Sequence, residues 1–487
     1  MGKFNKKTVG KETINLADGI AYKESPELEL VSLLLTSFVK DKFYENSNDQ
    51  LKRLENLVLS IKDKKFIGQS AVYARTKFGM RSITHALLSE LVNKVKGQSW
   101  VKNAIAKAVY RVDDLLETLA FYGNKYGKPI PNSLKKGIKL GLQKFDTYQL
   151  SKYRGANKDV KLVDLLNLVH PKPNAKQKEA FKKLIEGNLK STETWETKLT
   201  EAGKVNVEDE LERKVIVDKN KKEAWESLLK SNKLGYFALL RNIRNILEQA
   251  PESVDLALQK LVDKESIKKS LILPFQFKKA YDAVKNTSFG RKALGSLDKA
   301  VDLSVSNCPS FEGKTLIALD TSGSMSGQPL EIGKLFAAVL YKNNDADLMT
   351  FDSDGRYETL NPNSLVTDLI NQISFNGGGT NFNEIFRNAD KAYDRIIILS
   401  DMQGWMADKN SFSLQGGSPK KSFFEYKKEY NCNPKIYSFD LNGYGTLQFP
   451  EDNVFTIAGF SDKTLELLKL LETDRNALVN EIRKIEL

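Results

Sequence analysis

Near residue 309 the apolar pattern of this 487-residue chain changes its period, and no single layered architecture accommodates both patterns. Before the change, apolar residues recur at helical spacing. Leu28, Leu30, Val31, Leu34, Leu35 and Phe38 form one stripe, cut off by Lys40 and Asp41. Similar stripes run from Leu51 to Ile61, Ile83 to Val95, Val112 to Phe121, Leu134 to Leu142, Trp225 to Leu229 and Phe237 to Leu247. Only short breaks separate them, at Gly123–Pro131, His170–Asn174 and Glu201–Asp209. Many amphipathic helices on short turns, with almost no alternating strand pattern, predict an α-solenoid rather than a compact bundle. Identity between the helical hairpins is too weak to fix a repeat length.

After the change, Thr315–Leu319 and Arg395–Leu399 are continuous apolar runs, the pattern of strands buried on both faces. Asp347–Phe351, Ile436–Phe439 and Val454–Ile457 add strand candidates. Helical patterns lie between them at Leu330–Tyr341, Asn381–Tyr393 and Lys463–Leu471. Strand–helix alternation predicts a parallel, doubly wound, Rossmann-like sheet. The reading is therefore two domains, 1–308 and 309–487, α followed by α/β.

Charge divides at the same place. Residues 1–300 carry 57 Lys and Arg against 36 Asp and Glu, whereas 301–487 carry 18 against 26. A net of +21 beside a net of −8 points to a polyanionic partner for the first half, or to lysine-rich solvated helix faces. The start, Met1 to Lys7, has no hydrophobic stretch, and no apolar run approaches the eighteen or so residues of a membrane helix. Two cysteines, Cys308 and Cys432, make neither a disulfide framework nor a four-cysteine zinc site. A reducing, cytoplasmic setting is expected, with no membrane partner.

The clearest chemistry lies where ligands sit in such sheets, beyond the carboxyl ends of the strands. The first strand of the α/β half runs into Asp320-Thr321-Ser322-Gly323-Ser324, whose alternate residues can aim one carboxylate and two hydroxyls at one point. Gly377-Gly378-Gly379-Thr380 offers a third hydroxyl, and Asp401 follows the strand of Ile396 to Ser400. Two carboxylates and three hydroxyls are hard oxygen donors suited to Mg²⁺ or Mn²⁺. With so little protein charge, the ion would keep an open position for an acidic ligand group. Capping of the following turn by Asp320 and Ser322 is the structural alternative. The five positions Asp320, Ser322, Ser324, Thr380 and Asp401 resemble the metal-ion-dependent adhesion site of von Willebrand A domains.

Two other motifs fail on inspection. Gly313-Lys314-Thr315 imitates the end of a phosphate-binding loop, but Cys308 stands at the first glycine position and a strand follows where a helix is required. Gly323-Ser324-Met325-Ser326-Gly327 imitates a hydrolase elbow with Met325 at the nucleophile position. Both histidines, His85 and His170, lie in the helical half, so the α/β half cannot pair a Ser with a His of its own. The expectation is a protein that is not an enzyme.

The helical half carries a second resemblance. Phe145-Asp146-Thr147-Tyr148-Gln149-Leu150-Ser151-Lys152-Tyr153-Arg154 is followed by Lys161-Leu162-Val163-Asp164-Leu165-Leu166 and the turn His170-Pro171-Lys172-Pro173. This is similar to the hallmark stretch of the TROVE domain of Ro ribonucleoproteins. Asn15 to Tyr22, Val72 to Arg75, Met80 to Ser82, Leu239 to Asn245 and Leu273 to Phe275 fit the same family. The family joins a TROVE ring to a von Willebrand A domain, so the resemblance spans essentially the whole chain.

That resemblance implies a ring of HEAT-like helical repeats whose ends the von Willebrand A domain bridges. It further implies small structured Y-like RNA on a basic outer surface and single-stranded 3′ ends of misfolded RNA in the ring, as in RNA quality control. Lys152, Arg154 and His170 match basic or polar positions of the family motif, while Ala156 replaces its more distal basic position. Arg75, Arg81, Arg241 and Arg244 are candidates to line the ring, and arginines paired with helix carboxylates would look the same. For Lys152 and Arg154 the alternative is a solvated face, and for His170 a histidine that caps the turn. Tyr148 and Tyr153 read as packing. An exoribonuclease or another protein with an acidic group is the candidate partner at the metal site, on a monomeric scaffold. A metal-dependent protein-binding adaptor is the competing function.

Overall fold

The structure is a computed structural model, and it describes residues 12–14, 20–23, 25–36, 47–153, 160–190, 194–308, 310–404, 419–442, 446–448, 454–458 and 477–487. Helices fill the first half from Pro26–Thr36 to Gly290–Ser304. Local chemistry sets several starts. The Asp63 carboxylate accepts the Phe66 N–H at 3.2 Å ahead of the helix Lys64–Thr76. Asp146 and Gln149 exchange bonds of 2.9 and 3.2 Å at the start of Thr147–Lys152. Each satisfies backbone N–H groups that a helix end leaves without partners. No described helix is long and apolar enough to cross a membrane.

The strands, in chain order, are β1 (Glu12–Ile14), β2 (Ile20–Lys23), β3 (Thr315–Asp320), β4 (Ala346–Phe351), β5 (Gly355–Tyr357), β6 (Arg395–Ser400), β7 (Lys435–Asp440), β8 (Thr446–Leu447) and β9 (Val454–Ala458). The main sheet has the order β5-β4-β3-β6-β7-β9. All its pairings are parallel except β4 with β5, so the sheet is mixed rather than wholly parallel. Alternate residues of β3 feed two cores. Ile317 and Leu319 face the helix Gln328–Asn343, and Leu316 and Ala318 face Phe382, Ile385 and Phe423. Each such buried Leu or Ile contributes about 1.5–3 kcal/mol relative to exposure.

One hydrophobic core runs without a break from Trp225 through Cys308 into the α/β half, where Phe275 stacks on Phe336 at 4.2 Å. Lys342 and Asp302 add an ion pair of 3.0 Å across that junction. A second core joins residues 30–189 to Leu478, Val479 and Ile482 near the other end of the chain. There Gln69 donates to the carbonyls of Arg483 and Ile485 at 2.8 Å each, and Lys107 donates to that of Glu486 at 2.8 Å. β2 also pairs antiparallel with β8. The chain therefore returns on itself: the later helices share a core with the α/β half, and residues near its end pack back on the early helices. The C-terminal helix Ala477–Arg483 packs in the helical half although it lies beyond residue 309.

Two further details differ from the sequence reading, and one expected helix falls outside the described residues. The expected helix Asn381–Tyr393 is helical only over Asn383–Asn388. Its end follows from Asn388, whose side-chain amide bonds the Glu384 carbonyl at 2.9 Å in competition with the backbone. The strands β1, β2 and β5 have three or four residues each, too few for an alternation to register. The expected helix Lys463–Leu471 lies outside the described residues.

Candidate metal centre and nucleic-acid interface

β3 and β6 are neighbours, yet the chain reaches β4 between them, so they flank the point where strand order reverses. Their register sets Leu319 beside Leu399 and carries Asp320 and Asp401 to the same carboxyl edge. Asp320 accepts the Ser322 N–H on one oxygen at 2.9 Å and the Ser400 hydroxyl on the other at 2.6 Å. The Ser322 and Ser324 hydroxyl oxygens are 3.4 Å apart. Asp401 accepts the Gln403 N–H at 3.2 Å through Oδ1, while its buried Oδ2 has no hydrogen-bond partner. The loop that carries Thr380 is tied to this edge through its backbone. Gly377 donates to the Thr321 carbonyl and Gly323 to the Gly378 carbonyl, both at 3.0 Å. Gly377 has φ +73, which favours glycine, and a Cβ on Gly378 would press on the Ser353 hydroxyl at 2.9 Å.

Electrostatics make this edge distinctive. Burial pushes the Asp320 carboxyl above its usual range against the hydrogen bonds of Ser322 and Ser400, and the Asp352 charge adds to the rise. Burial also raises Asp401, reinforced by the charge of Asp320 and opposed by the Ser324 hydroxyl. Two buried carboxylates of like charge, one with an orphaned oxygen, are stabilised by a bound cation. Among the described residues no three His, Cys, Asp or Glu side chains converge on one point. The donor set is instead two carboxylates with hydroxyls, and it fits a hard divalent cation. Sequence reasoning missed Ser400 and Asp352. Each directly adjoins a strand end at this edge, as Asp320 and Asp401 do, and that placement was the available signal.

The imitations resolve as structure. Gly313 turns at φ +82, and the Lys314 N–H goes to the Asp394 carboxylate at 2.7 Å on entry to β3. Met325 is fully buried.

The RNA candidates scatter. Arg241 and Arg244 are exposed on the helix Tyr236–Gln249, with Arg244 paired to Glu248 at 2.9 Å. Lys152 is half-buried and sits 3.6 Å from Glu196. His170 ends the helix Leu162–Val169 in a left-handed conformation, φ 42, with its side chain exposed, so its backbone makes the turn. Arg154 lies outside the described residues.

Arg75 requires a correction, because it does not line a surface. It is 4% exposed and grips Asp114 with two bonds of 3.0 and 3.1 Å. Arg81 bonds Asp113 at 2.9 Å and Asp114 at 3.3 Å, and is only partly exposed. His85 adjoins this cluster, its Nδ1 3.0 Å from the Thr118 hydroxyl. Burial pushes its imidazole down from 6.5 to about 4. Tyr153 packs under the Arg111 guanidinium at 4.4 Å.

A run of helices joined to a doubly wound domain defines a class of fold, and comparison with known proteins agrees on that fold. The TROVE domain family matches residues 188–297. The fold is similar to the crystal structure of the Deinococcus radiodurans Ro (RSR) protein, with a TM-score of 0.62 and 16% identity over 91% of this chain and 99% of that one. Telomerase protein component 1 of Mus musculus is 32% identical over 98 residues, 20% of this chain. The chain spans 3% of the length of that relative. The sequence match is to the TROVE domain over residues 188–297, and the likeness to the Ro protein over nearly the whole chain is one of fold.

Proposed function

We propose that this protein is an RNA-binding scaffold whose helical half holds RNA and whose α/β half carries a divalent cation. One observation carries the reading. The +21 half forms most of the run of helices, and the −8 half packs on both its later and its early helices. Lysines and arginines along such a run contact phosphates, giving steeply salt-dependent binding, and a basic channel holds a single strand with little sequence preference. In this reading structured Y-like RNA binds outside and a single-stranded 3′ end of misfolded RNA threads the ring. The protein serves RNA quality control without catalysis, as a monomer in the cytoplasm.

Threading supplies the test. A hairpin with a single-stranded 3′ tail should bind better than the blunt hairpin, and circularising the tailed RNA should remove most of that advantage. Equal affinities for the linear and circular forms at physiological salt would exclude threading and leave general polyanion binding.

The orphaned Asp401 oxygen favours a second role for the α/β half. Asp320, Ser322, Ser324, Thr380 and Asp401 would hold Mg²⁺, or Mn²⁺, which supplies Lewis acidity at an open position. An acidic group of a partner protein, such as an exoribonuclease, would complete the site. If RNA binding fails while a Mg²⁺-dependent protein partner is retained, the adaptor reading replaces the RNA one.

A further inference from the structure

Tyr110 is 67% exposed and takes no part in the hydrophobic core around it. Its position is nevertheless fixed. Its backbone N–H donates to Asp114 at 2.9 Å, and the Arg75 guanidinium carbon lies 5.5 Å from its ring centroid. Arg75 is buried and held by Asp114, so one face of the ring rests on an immobile cation and the other meets solvent. Beside it Arg111 is clamped by Asp113 at 2.9 and 2.7 Å and lies over the ring of Tyr153.

Two Arg–Tyr pairs thus flank one Asp113–Asp114 couple at the start of the helix Val112–Tyr126. Arg81 also binds both carboxylates, so three guanidiniums hold Asp113 and Asp114, with Glu117 a further acid acting on the cluster. A rigid aromatic face backed by a fixed guanidinium is complementary to an unstacked nucleobase. A duplex offers a free base face only at its ends, whereas every base of a single strand presents one.

We propose that Tyr110 is a base-stacking residue for single-stranded RNA, with Arg75 as its positioning residue and Arg111 on Tyr153 as the adjoining platform. Stacking needs only a π-face, so the site tolerates any base. The proposal rests on the RNA-binding reading above.

The test compares an unstructured oligoadenylate with the same oligomer carrying abasic sugars, by fluorescence anisotropy with the full chain. Wild type should favour the base-bearing strand by roughly tenfold for each stacked base. Tyr110→Ala should lose that preference and keep its affinity for the abasic strand, and Tyr110→Phe should retain it. A full preference in Tyr110→Ala would overturn the stacking role while leaving RNA binding intact. Failure of wild type to bind either strand would overturn the RNA reading, and the stacking role with it.

Discussion

The Arg75–Asp114 cluster of the helical half and the Asp320–Asp401 edge of the α/β half are both buried and both ionic, yet they are built to opposite rules. In the first, every carboxylate oxygen of Asp113 and Asp114 meets a guanidinium, a backbone N–H or both. In the second, two carboxylates are raised by burial and by neighbouring negative charge, with no cationic side chain among the main causes. A balanced buried cluster joins helices. An unbalanced one stores repulsion that a ligand can relieve.

Charge removal therefore acts with opposite sign in the two places. Arg75→Ala leaves Asp114 buried with its strongest partner gone, and should cost about 3–5 kcal/mol of stability in chemical denaturation. Asp401→Asn should leave the metal-free protein equally or more stable, because it removes a buried carboxyl whose charged form burial and the Asp320 charge both disfavour. A destabilisation of Asp401→Asn as large as that of Arg75→Ala would break the distinction.

His85 carries the next largest effect. Its folded imidazole titrates near 4 against 6.5 when unfolded, so below pH 6.5 the unfolded chain binds the extra proton. Stability is fully present above pH 6.5 and falls as pH drops toward 4, by about 3 kcal/mol. Thermal melts across that window should show the loss, and His85→Asn should flatten it. An unchanged profile in the variant would assign acid sensitivity elsewhere.

The metal edge sharpens the contrast from the other side. Mg²⁺ at a hundredfold excess over its dissociation constant should stabilise wild type by roughly 2.7 kcal/mol. Asp320→Ala should abolish that gain and the calorimetric signal of Mg²⁺ binding, while RNA affinity changes little. Identical Mg²⁺ affinity in wild type and Asp320→Ala would remove the site.

The two regions also differ in how well sequence foretold them. β3 and β6 were legible because burial on both faces leaves continuous apolar runs such as Ile396–Leu399. Asp320, Ser322, Ser324 and Asp401 were legible because they sit directly on the ends of those runs. The arginine cluster was opaque. Arg75 and Asp114 stand 39 residues apart, and nothing local distinguishes an arginine that pairs across helices from one that faces RNA. β2 with β8 was invisible because its two-residue pairing joins opposite ends of the chain.

The smallest effect separates an outward cation from an inward one. Lys152 sits 3.6 Å from Glu196, and both side chains are partly exposed. Such a pair contributes about 0–1 kcal/mol, so Lys152→Ala should barely change stability, unlike Arg75→Ala. If Lys152 leaves Glu196 to meet a phosphate, one counterion fewer is released in the variant. The slope of log affinity against log salt for duplex-bearing RNA should then flatten by about 0.9. Glu196→Gln frees Lys152 without removing its charge, and should strengthen RNA binding with the wild-type slope kept. Salt titrations of the three proteins decide the matter: a common slope in all three would make Lys152 a helix-joining residue, on the same side of the comparison as Arg75.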